Sequence, residues 1–459
     1  MKVDIEILTK YGRPGPRYTS YPTAPQFSSS FGPAEYRTEI EETNRGDDLS
    51  DLSLYFHIPF CNTLCYFCAC NTIITQNLSK IADYVDLLKR EVELVSGMVN
   101  SSRKVVQFHW GGGTPSYLSP AQIDDLFCFI KDHFQFADDA EVSMEIDPRD
   151  LTPEHLPSIR KTGFNRVSFG VQDLDEKVQI AVNRVQPMEL NRRVVSESRD
   201  LGFDSVNIDL IYGLPHQTFD SYSRTLDQVL EINADRMAVF NYAHVPWLKK
   251  HQSIIPEDAL PAPEVRLEIL KMVIERLTGA GYAYIGMDHF ARHDDDLTRA
   301  LNEGSLHRNF QGYTTNAGTE IYAMGITAIS QLDGAYAQNV KSIPEYRGML
   351  EKGILPTEIG HRLDDDDKLR RYVISELMCN NRIKKGDVEA RFGIEFDAYF
   401  EDSIAKLQEF TADGLVTLHD DRLQVSEDGR LVIRNIAMAF DRYLSEGDPD
   451  SKQKFSRTV

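Results

Sequence analysis

From about residue 51 the chain alternates short apolar runs with longer amphipathic ones. "SLYFHIPF", "KVVQFHWGGG", "EVSMEIDP", "RVSFGVQ", "SVNIDLIYGLP" and "RMAVFNYAH" read as strands. Helical stretches lie between them. In "LSKIADYVDLLKREVELVSGMV", residues Ile81, Tyr84, Val85, Leu88, Val92 and Val95 recur on one face, with Ser79 available as N-cap. Strands alternating with helices predict parallel βαβ units. Six in succession predict an α/β fold, an open or closed barrel over residues 51–245. Each strand ends in Gly, Pro, His, Asp, Glu or Gln, and the carboxyl ends of parallel strands are where α/β enzymes place their chemistry.

The flanks read differently. Residues 1–50 form an arm whose "YGRPGPRYTSYPTAPQF" is too rich in Pro for regular structure. Residues 246–360 are mixed and read as an extension that closes the barrel. Over 361–459, "DDKLRRYVISELM", "KGDVEARFG" and "YFEDSIAKLQEFTADG" read as three helices and "LVTLHDDRLQVSEDG" as a hairpin, which together resemble a winged helix. That tail holds 16 Lys and Arg against 21 Asp and Glu, so a packing or lid domain fits better than a DNA reader.

Composition narrows the class. The 459 residues are 41% hydrophobic and 10% aromatic, enough for a sizeable core. A formal net charge of -21 opposes general binding to nucleic acid or anionic membrane surfaces. No apolar run reaches membrane-spanning length and the first residues have no apolar signal core, so the expectation is a cytoplasmic protein, taken as a monomer.

Four of six cysteines fall within "CNTLCYFCAC", residues 61–70. Zinc wants four closed ligands, commonly two remote pairs, and would have to recruit Cys70 or a histidine such as His57. Iron–sulfur clusters take thiolates from one tight run. Three thiolates spaced C-x3-C-x2-C leave one iron of a cubane open, and an open iron binds a chelating substrate. Cys128 and Cys379 read as ordinary reduced thiols.

The loop resembles the signature of the radical S-adenosylmethionine (SAM) superfamily. "YFHIPFCNTLCYFCAC", with "GPRYTSYPTAPQF", "HWGGGTPSYL", "SMEIDPR", "RVSFGVQ", "NIDLIYGLPHQT" and "RNFQGYTT", resembles the oxygen-independent coproporphyrinogen III oxidases over nearly the whole chain. The resemblance implies a partial (β/α)6 TIM-like barrel with an N-terminal arm and a small helical, winged-helix-like C-terminal domain. It implies a 4Fe-4S cluster on Cys61, Cys65 and Cys68, and SAM on the fourth iron.

Tyr55 and Phe67 match family contacts to that SAM, although each would also pass for a core aromatic. "GGGTP" lets backbone approach a charged ligand end, or makes a tight turn; by resemblance Gly112 contacts the first SAM and Gly113 and Thr114 a second. Glu145 can accept hydrogen bonds from ribose hydroxyls, and Ile329 closes over the first adenine. Gln172, Arg184, Asp209 and Ala243 match positions around the second SAM, so two SAM molecules are expected. Cys70 is expected to be a thiol facing the cavity, tied to catalysis rather than to iron.

The implied activity is oxidative decarboxylation of two propionates of coproporphyrinogen III to vinyl groups, giving protoporphyrinogen IX for haem synthesis. A 5'-deoxyadenosyl radical removes the hydrogen, and an electron donor and acceptor take part. The alternatives are a haem chaperone of the same superfamily, or another radical SAM tetrapyrrole enzyme. Beyond the family motif, the arm's Arg13 and Arg17 beside Tyr18 and Tyr21 suit a flat tetracarboxylate, and are expected to line the substrate site as a lid.

Overall fold

The structure is a computed structural model that describes residues 1–46, 49–444, 455, 457 and 458. Residues 445–454, 456 and 459 of the expected tail domain therefore lie outside the described residues, as do 47 and 48 of the arm.

The six expected strands form: β1 (Leu52–Ile58), β2 (Lys104–Gly112), β3 (Gln135–Ile146), β4 (Arg166–Gln172), β5 (Ser205–Tyr212) and β6 (Arg236–Asn241). They pair in parallel, in sequence order. Residues 282–362 add β7 (Tyr282–Gly286), β8 (His289–Arg292), β9 (Glu320–Met324), β10 (Ile329–Gln331), β11 (Ala335–Asn339) and β12 (Thr357–Arg362). The sheet runs β12-β11-β10-β9-β1-β2-β3-β4-β5-β6-β8-β7, so it is a curved, open barrel with added strands on both edges. β9 pairs in parallel with β1, Leu52 opposite Glu320. Arg103 locks that seam: its buried guanidinium meets Glu320 at 2.8 Å and also bonds the Ser50 carbonyl at 2.7 Å. Buried pairs of this kind hold geometry rather than add much stability.

Alternation along each strand sorts the two faces. Phe108, Trp110, Met144, Phe169 and Ile208 are fully buried in the main core, toward the helices. Their neighbours His109, Ser143, Glu145, Ser168, Asn207 and Asp209 line the barrel interior. A barrel packed shut uses branched apolar residues inside; polar inner positions leave a cavity instead. The helix after the cysteine loop spans Leu78–Ser96 and buries the six residues of the expected face, together with Leu87 and Glu91. Its N-cap is Asn77 rather than Ser79: the Asn77 side chain accepts from the backbone N–H of Ser79 and Lys80.

The tail folds as helices Asp365–Asn380 and Lys385–Phe392 and a three-stranded sheet, in which Arg422–Val425 pairs with Arg382–Lys384 and Val416–Leu418. The expected third helix is interrupted at Phe400 (φ -104°, ψ 24°), whose buried ring packs on Phe396 and Phe440.

The arm corrects an expectation. Of the stretch 11–27 expected to be irregular, Tyr11 closes a helix (Ile5–Tyr11) and Ala24–Gln26 makes a 3-10 turn. The residues between are irregular, but they strap the barrel to the tail instead of lining the cavity. Tyr11 stacks on Phe410. Tyr18 is buried and its hydroxyl donates to Asp441 at 2.9 Å; the buried Tyr21 hydroxyl accepts from the Arg442 N–H at 3.1 Å. Arg17 pairs with Asp288, and Arg13 is exposed with its carbonyl bonded by Thr458 N–H. None of Arg13, Arg17, Tyr18 and Tyr21 is on the cavity wall. Two large rings gain more from the tail's apolar contacts than from an open cavity.

Candidate active site

A cavity of about 560 Å³ occupies the barrel interior and its mouth. The cysteine loop stands over it. At the loop's base, Phe60–Cys61 pairs in parallel with Ile73–Ile74. The glycine run after β2 then docks against it: Gly113 N–H donates to the Ile58 carbonyl at 2.8 Å and Thr114 N–H to the Phe60 carbonyl at 2.9 Å. A Cβ at Gly113 would lie 2.6 Å from the Pro59 carbonyl group, and one at Gly112 (φ +115°) would strike the His57 ring. The glycines are therefore required by backbone packing beneath the cysteines, whatever ligand they also face.

Cys61, Cys65, Cys68 and Cys70 all line the cavity. Donors converge on the sulfurs. The Thr114 hydroxyl lies 3.3 Å from Cys61 Sγ, Arg149 Nη2 3.4 Å and Arg184 Nη1 3.6 Å from Cys65 Sγ. Both arginines also grip Asp147, each at 2.7 Å. Burial opposes ionisation of Asp147, but the charges of Arg184 and Arg149 outweigh it and hold the carboxyl below its usual range. Burial pushes the Cys61 thiol up to about 12, while a hydrogen bond from Cys70 brings Cys68 down to about 7. The set fits an iron–sulfur cluster. Four thiols line one cavity, three of them in the C-x3-C-x2-C run, and cationic and hydroxyl donors are aimed at the sulfurs of Cys61 and Cys65, the arrangement that stabilises anionic thiolates. Among the described residues, no three His, Cys, Asp and Glu side chains close on a single-ion site of the kind zinc needs.

Below the loop the wall is polar. Glu145 accepts from Gly112 N–H at 3.1 Å and faces His109 Nε2 at 3.4 Å. Burial would raise its pKa, but His109 and the Gly112 N–H outweigh this and hold it low, so it is a ready acceptor. Tyr55 stacks on His109, centroids 5.9 Å apart, and its hydroxyl meets His57 Nδ1 at 3.2 Å. It is the cross-strand neighbour of His109 and stands beside it on the inner face of the sheet. Asp209 accepts from Ser168 at 3.0 Å and Asn207 at 2.8 Å; burial and then the charge of Glu145 push it up to about 6. A break in register after Gly170 puts Gln172 at φ +69° and on the wall. Phe67, Arg184 and Ala243 line it as well. Ile329 does not: it packs beside Phe310 around Tyr336.

Several contributors escaped the sequence reading. Lys249 Nζ, His251 Nε2 and Gln252 Nε2 bond the carbonyls of Cys70, Cys68 and Phe67 at 2.9, 2.7 and 2.8 Å. Asn183 Nδ2 bonds the Leu64 carbonyl at 2.8 Å. These are single polar residues in or beside short turns (His251 and Gln252 in the 3-10 helix Lys250–Ile254), and no local signal marks them. Arg149 is different. It follows "EIDP" directly, and a basic residue next to a strand-end carboxylate is a visible cue.

Comparison with known proteins agrees with this geometry. Residues 55–229 match the radical SAM superfamily and residues 363–432 the HemN C-terminal domain. The chain is 45% identical to the oxygen-independent coproporphyrinogen III oxidase of Synechocystis, over 100% of this chain and 98% of the relative. It is 44% identical to that of Escherichia coli K12, over 99% and 98%. The solved structure of E. coli coproporphyrinogen III oxidase (HemN), described as a radical SAM enzyme, superposes with a TM-score of 0.92, covering 97% of this chain and 100% of that one. Similarity along the full length assigns the chain to the oxygen-independent coproporphyrinogen III oxidase family of radical SAM enzymes.

Proposed function

We propose that this protein decarboxylates two propionate side chains of coproporphyrinogen III to vinyl groups without oxygen, giving protoporphyrinogen IX in haem synthesis. The observation that carries the reading is the full-length match to coproporphyrinogen III oxidases, down to the tail domain. Each conversion removes a β-hydrogen, carbon dioxide and one further electron, so an electron donor and an acceptor must take part. When bound, a 4Fe-4S cluster and SAM supply reductive cleavage of a carbon–sulfur bond and hence a hydrogen-abstracting radical.

The chain's own residues bind and orient. Cys61, Cys65 and Cys68 would hold the cluster, with the Thr114 hydroxyl, Arg149 and Arg184 donating to the thiolates. Glu145, kept ionised, would accept ribose hydroxyls from one SAM, with Phe67 and Gly112 beside it. A second SAM is supported by Gln172, Arg184, Asp209 and Ala243, which line the same cavity beyond what one SAM would need. Gly113 and Thr114 would meet it only through groups other than their N–H, which are spent on the cysteine loop. Cys70 would face the reacting end of the substrate.

Product analysis after anaerobic incubation of the cluster-loaded protein with coproporphyrinogen III, SAM and a reductant tests the reading. Protoporphyrinogen IX with matching release of carbon dioxide supports it. Haem binding without turnover would instead favour a chaperone.

A further inference from the structure

The cysteine loop lies at the surface as well as over the cavity. Ala69 and Cys70 are exposed, and Cys61 and Cys68 are partly so. Three pieces of chain brace it from outside. At its base Ile74 pairs with Cys61. On one flank the Val182 carbonyl accepts from Tyr66 N–H at 3.0 Å, and Asn183 bonds the Leu64 carbonyl. On the other, Lys249, His251 and Gln252 bond the loop's last carbonyls. Val178, Val182 and Ile255 join the two flanks in one small core, on which Tyr66 and Phe67 pack.

The outer side of this framework is apolar. Trp247 is 60% exposed and Leu248 68%. Ile254 on the same flank and Ile180 and Val185 on the other are also exposed. Ile74 and Leu78, at and beyond the base, are exposed as well. These seven are most of the eleven large hydrophobic side chains exposed among the described residues. A lone exposed apolar residue needs no explanation, but a group around one loop marks a contact surface.

The charge here is the reverse of the chain's. The protein carries 71 Asp and Glu against 50 Lys and Arg, yet neither Asp nor Glu occurs in 52–82, 177–188 or 236–256. Lys80, Lys177 and Lys250 are exposed and free of salt bridges among the described residues, and the Lys250 side chain does not bond the loop. Carboxylates border the face at Glu176 and Glu257, and Asp150 accepts from Asn62 at 3.1 Å. An acidic partner thus meets unpaired cations around an apolar centre, a layout that steers encounter.

We propose that this face docks a small acidic electron-carrier protein, one that holds a flavin or an iron–sulfur group near its own surface. The proposal rests on the reading that Cys61, Cys65 and Cys68 hold a cluster. One electron leaves the reduced carrier and enters the cluster for each SAM cleaved, and no atom is transferred. Position decides the class of partner: single electrons must reach a group held by the loop, and this is the surface the loop shares. Separate lysines around Trp247 and Leu248 suit a carrier that binds briefly and leaves, as weak redox encounters do.

The test uses cluster-loaded protein, photoreduced flavodoxin as the carrier, and dithionite as a reductant that needs no docking. Lys177→Glu/Lys250→Glu is expected to raise KM for flavodoxin in SAM cleavage at least about tenfold. Binding of labelled oxidised flavodoxin, read by fluorescence anisotropy, should weaken by a similar factor. Trp247→Ser/Leu248→Ser should weaken both at least about fivefold. Iron content and dithionite-driven cleavage stay within about twofold of wild type in both variants, and added salt slows only the flavodoxin reaction. Wild-type KM and affinity in the folded variants overturn the proposal. So does a wild type that takes electrons from dithionite but from neither flavodoxin nor a reduced 2Fe-2S ferredoxin. If charge reversal prevents folding, Lys177→Gln/Lys250→Gln and the Trp247 pair decide: unchanged KM in both overturns it. Suppose instead that Trp247→Ser/Leu248→Ser loses sedimentation with phosphatidylglycerol vesicles, or a dimer, while flavodoxin binding is intact. The face is then a membrane or self-association surface, and the proposal falls. A wild type that cannot cleave SAM even with dithionite overturns the cluster reading and this proposal together.

Discussion

His251 holds the backbone of Cys68: its Nε2 donates to the Cys68 carbonyl at 2.7 Å, across 183 residues of sequence. With Gln252 and Lys249 it makes residues 249–252 a splint along the cysteine loop. One such bond is worth about 1 kcal/mol, so His251→Ala should raise the open population of the loop roughly fivefold. The expected outcome is a similarly faster loss of iron–sulfur absorbance in a chelator. An unchanged rate would mean that the cluster alone keeps the loop closed.

The four cysteines divide three to one. Replacing Cys61, Cys65 or Cys68 by Ser should abolish the iron–sulfur absorbance of reconstituted protein. Cys70→Ser should retain it and lose turnover. If Cys70→Ser loses iron as the others do, the ligand assignment is wrong.

Two SAM molecules should bind each cluster-loaded chain. Asp209 is the better probe of the second, because Arg184 also grips Asp147 and donates to Cys65. Asp209→Ala should reduce equilibrium binding from two SAM to one, leaving cluster-bound SAM detectable by its effect on the cluster spectrum. Saturation of the wild type at one SAM would remove the second site.

Glu91 gives the fold a pH dependence of its own. The carboxyl is fully buried. It accepts from Gly325 N–H and Asn339 Nδ2, each at 2.7 Å, and from the Tyr346 hydroxyl, pinning the turn after β9. Burial outweighs these bonds and pushes it from 4.5 up to about 7. The folded chain therefore holds this proton more tightly than the unfolded one. Its stabilising contribution is complete below about pH 4.5 and is lost as the pH rises through about 7, at up to about 1.4 kcal/mol per pH unit. Thermal midpoints measured at pH 5 and 7.5 should fall more steeply in wild type than in Glu91→Gln. Equal slopes would mean that Glu91 is already ionised at the lower pH.

The parallel strands were legible because period-2 alternation and the intervening helices are local signals. His109, Glu145 and Asp209 fell on the inner face for that reason. β9 was not legible as a partner of β1, since its five residues carry no mark of a pairing that far away. The arm's composition marked the irregular residues 12–23 but neither the helix that ends at Tyr11 nor the 3-10 turn at Ala24–Gln26. It also misplaced the arm's destination: Tyr and Arg suit a ligand, but they suit Asp441, Arg442 and Asp288 of the same chain equally well. The splint at 249–252 acts through side chain to backbone bonds, which depend on tertiary placement alone. Ile329 came from family resemblance, and its neighbours here are Phe310 and Tyr336 rather than the cavity.

The pairing of β1 with β9 also sets an order of events at the ribosome. β1 leads directly into the cysteine loop, yet its second partner strand is synthesised about 270 residues later. At roughly 5–20 residues per second, that interval lasts roughly 15 to 55 seconds. Throughout it, one edge of the strand has its backbone donors and acceptors unpaired, a template for non-native strand pairing. The nascent chain is thus most prone to aggregate, and its thiols most accessible to iron delivery or to oxidation, before residue 324 has left the exit tunnel.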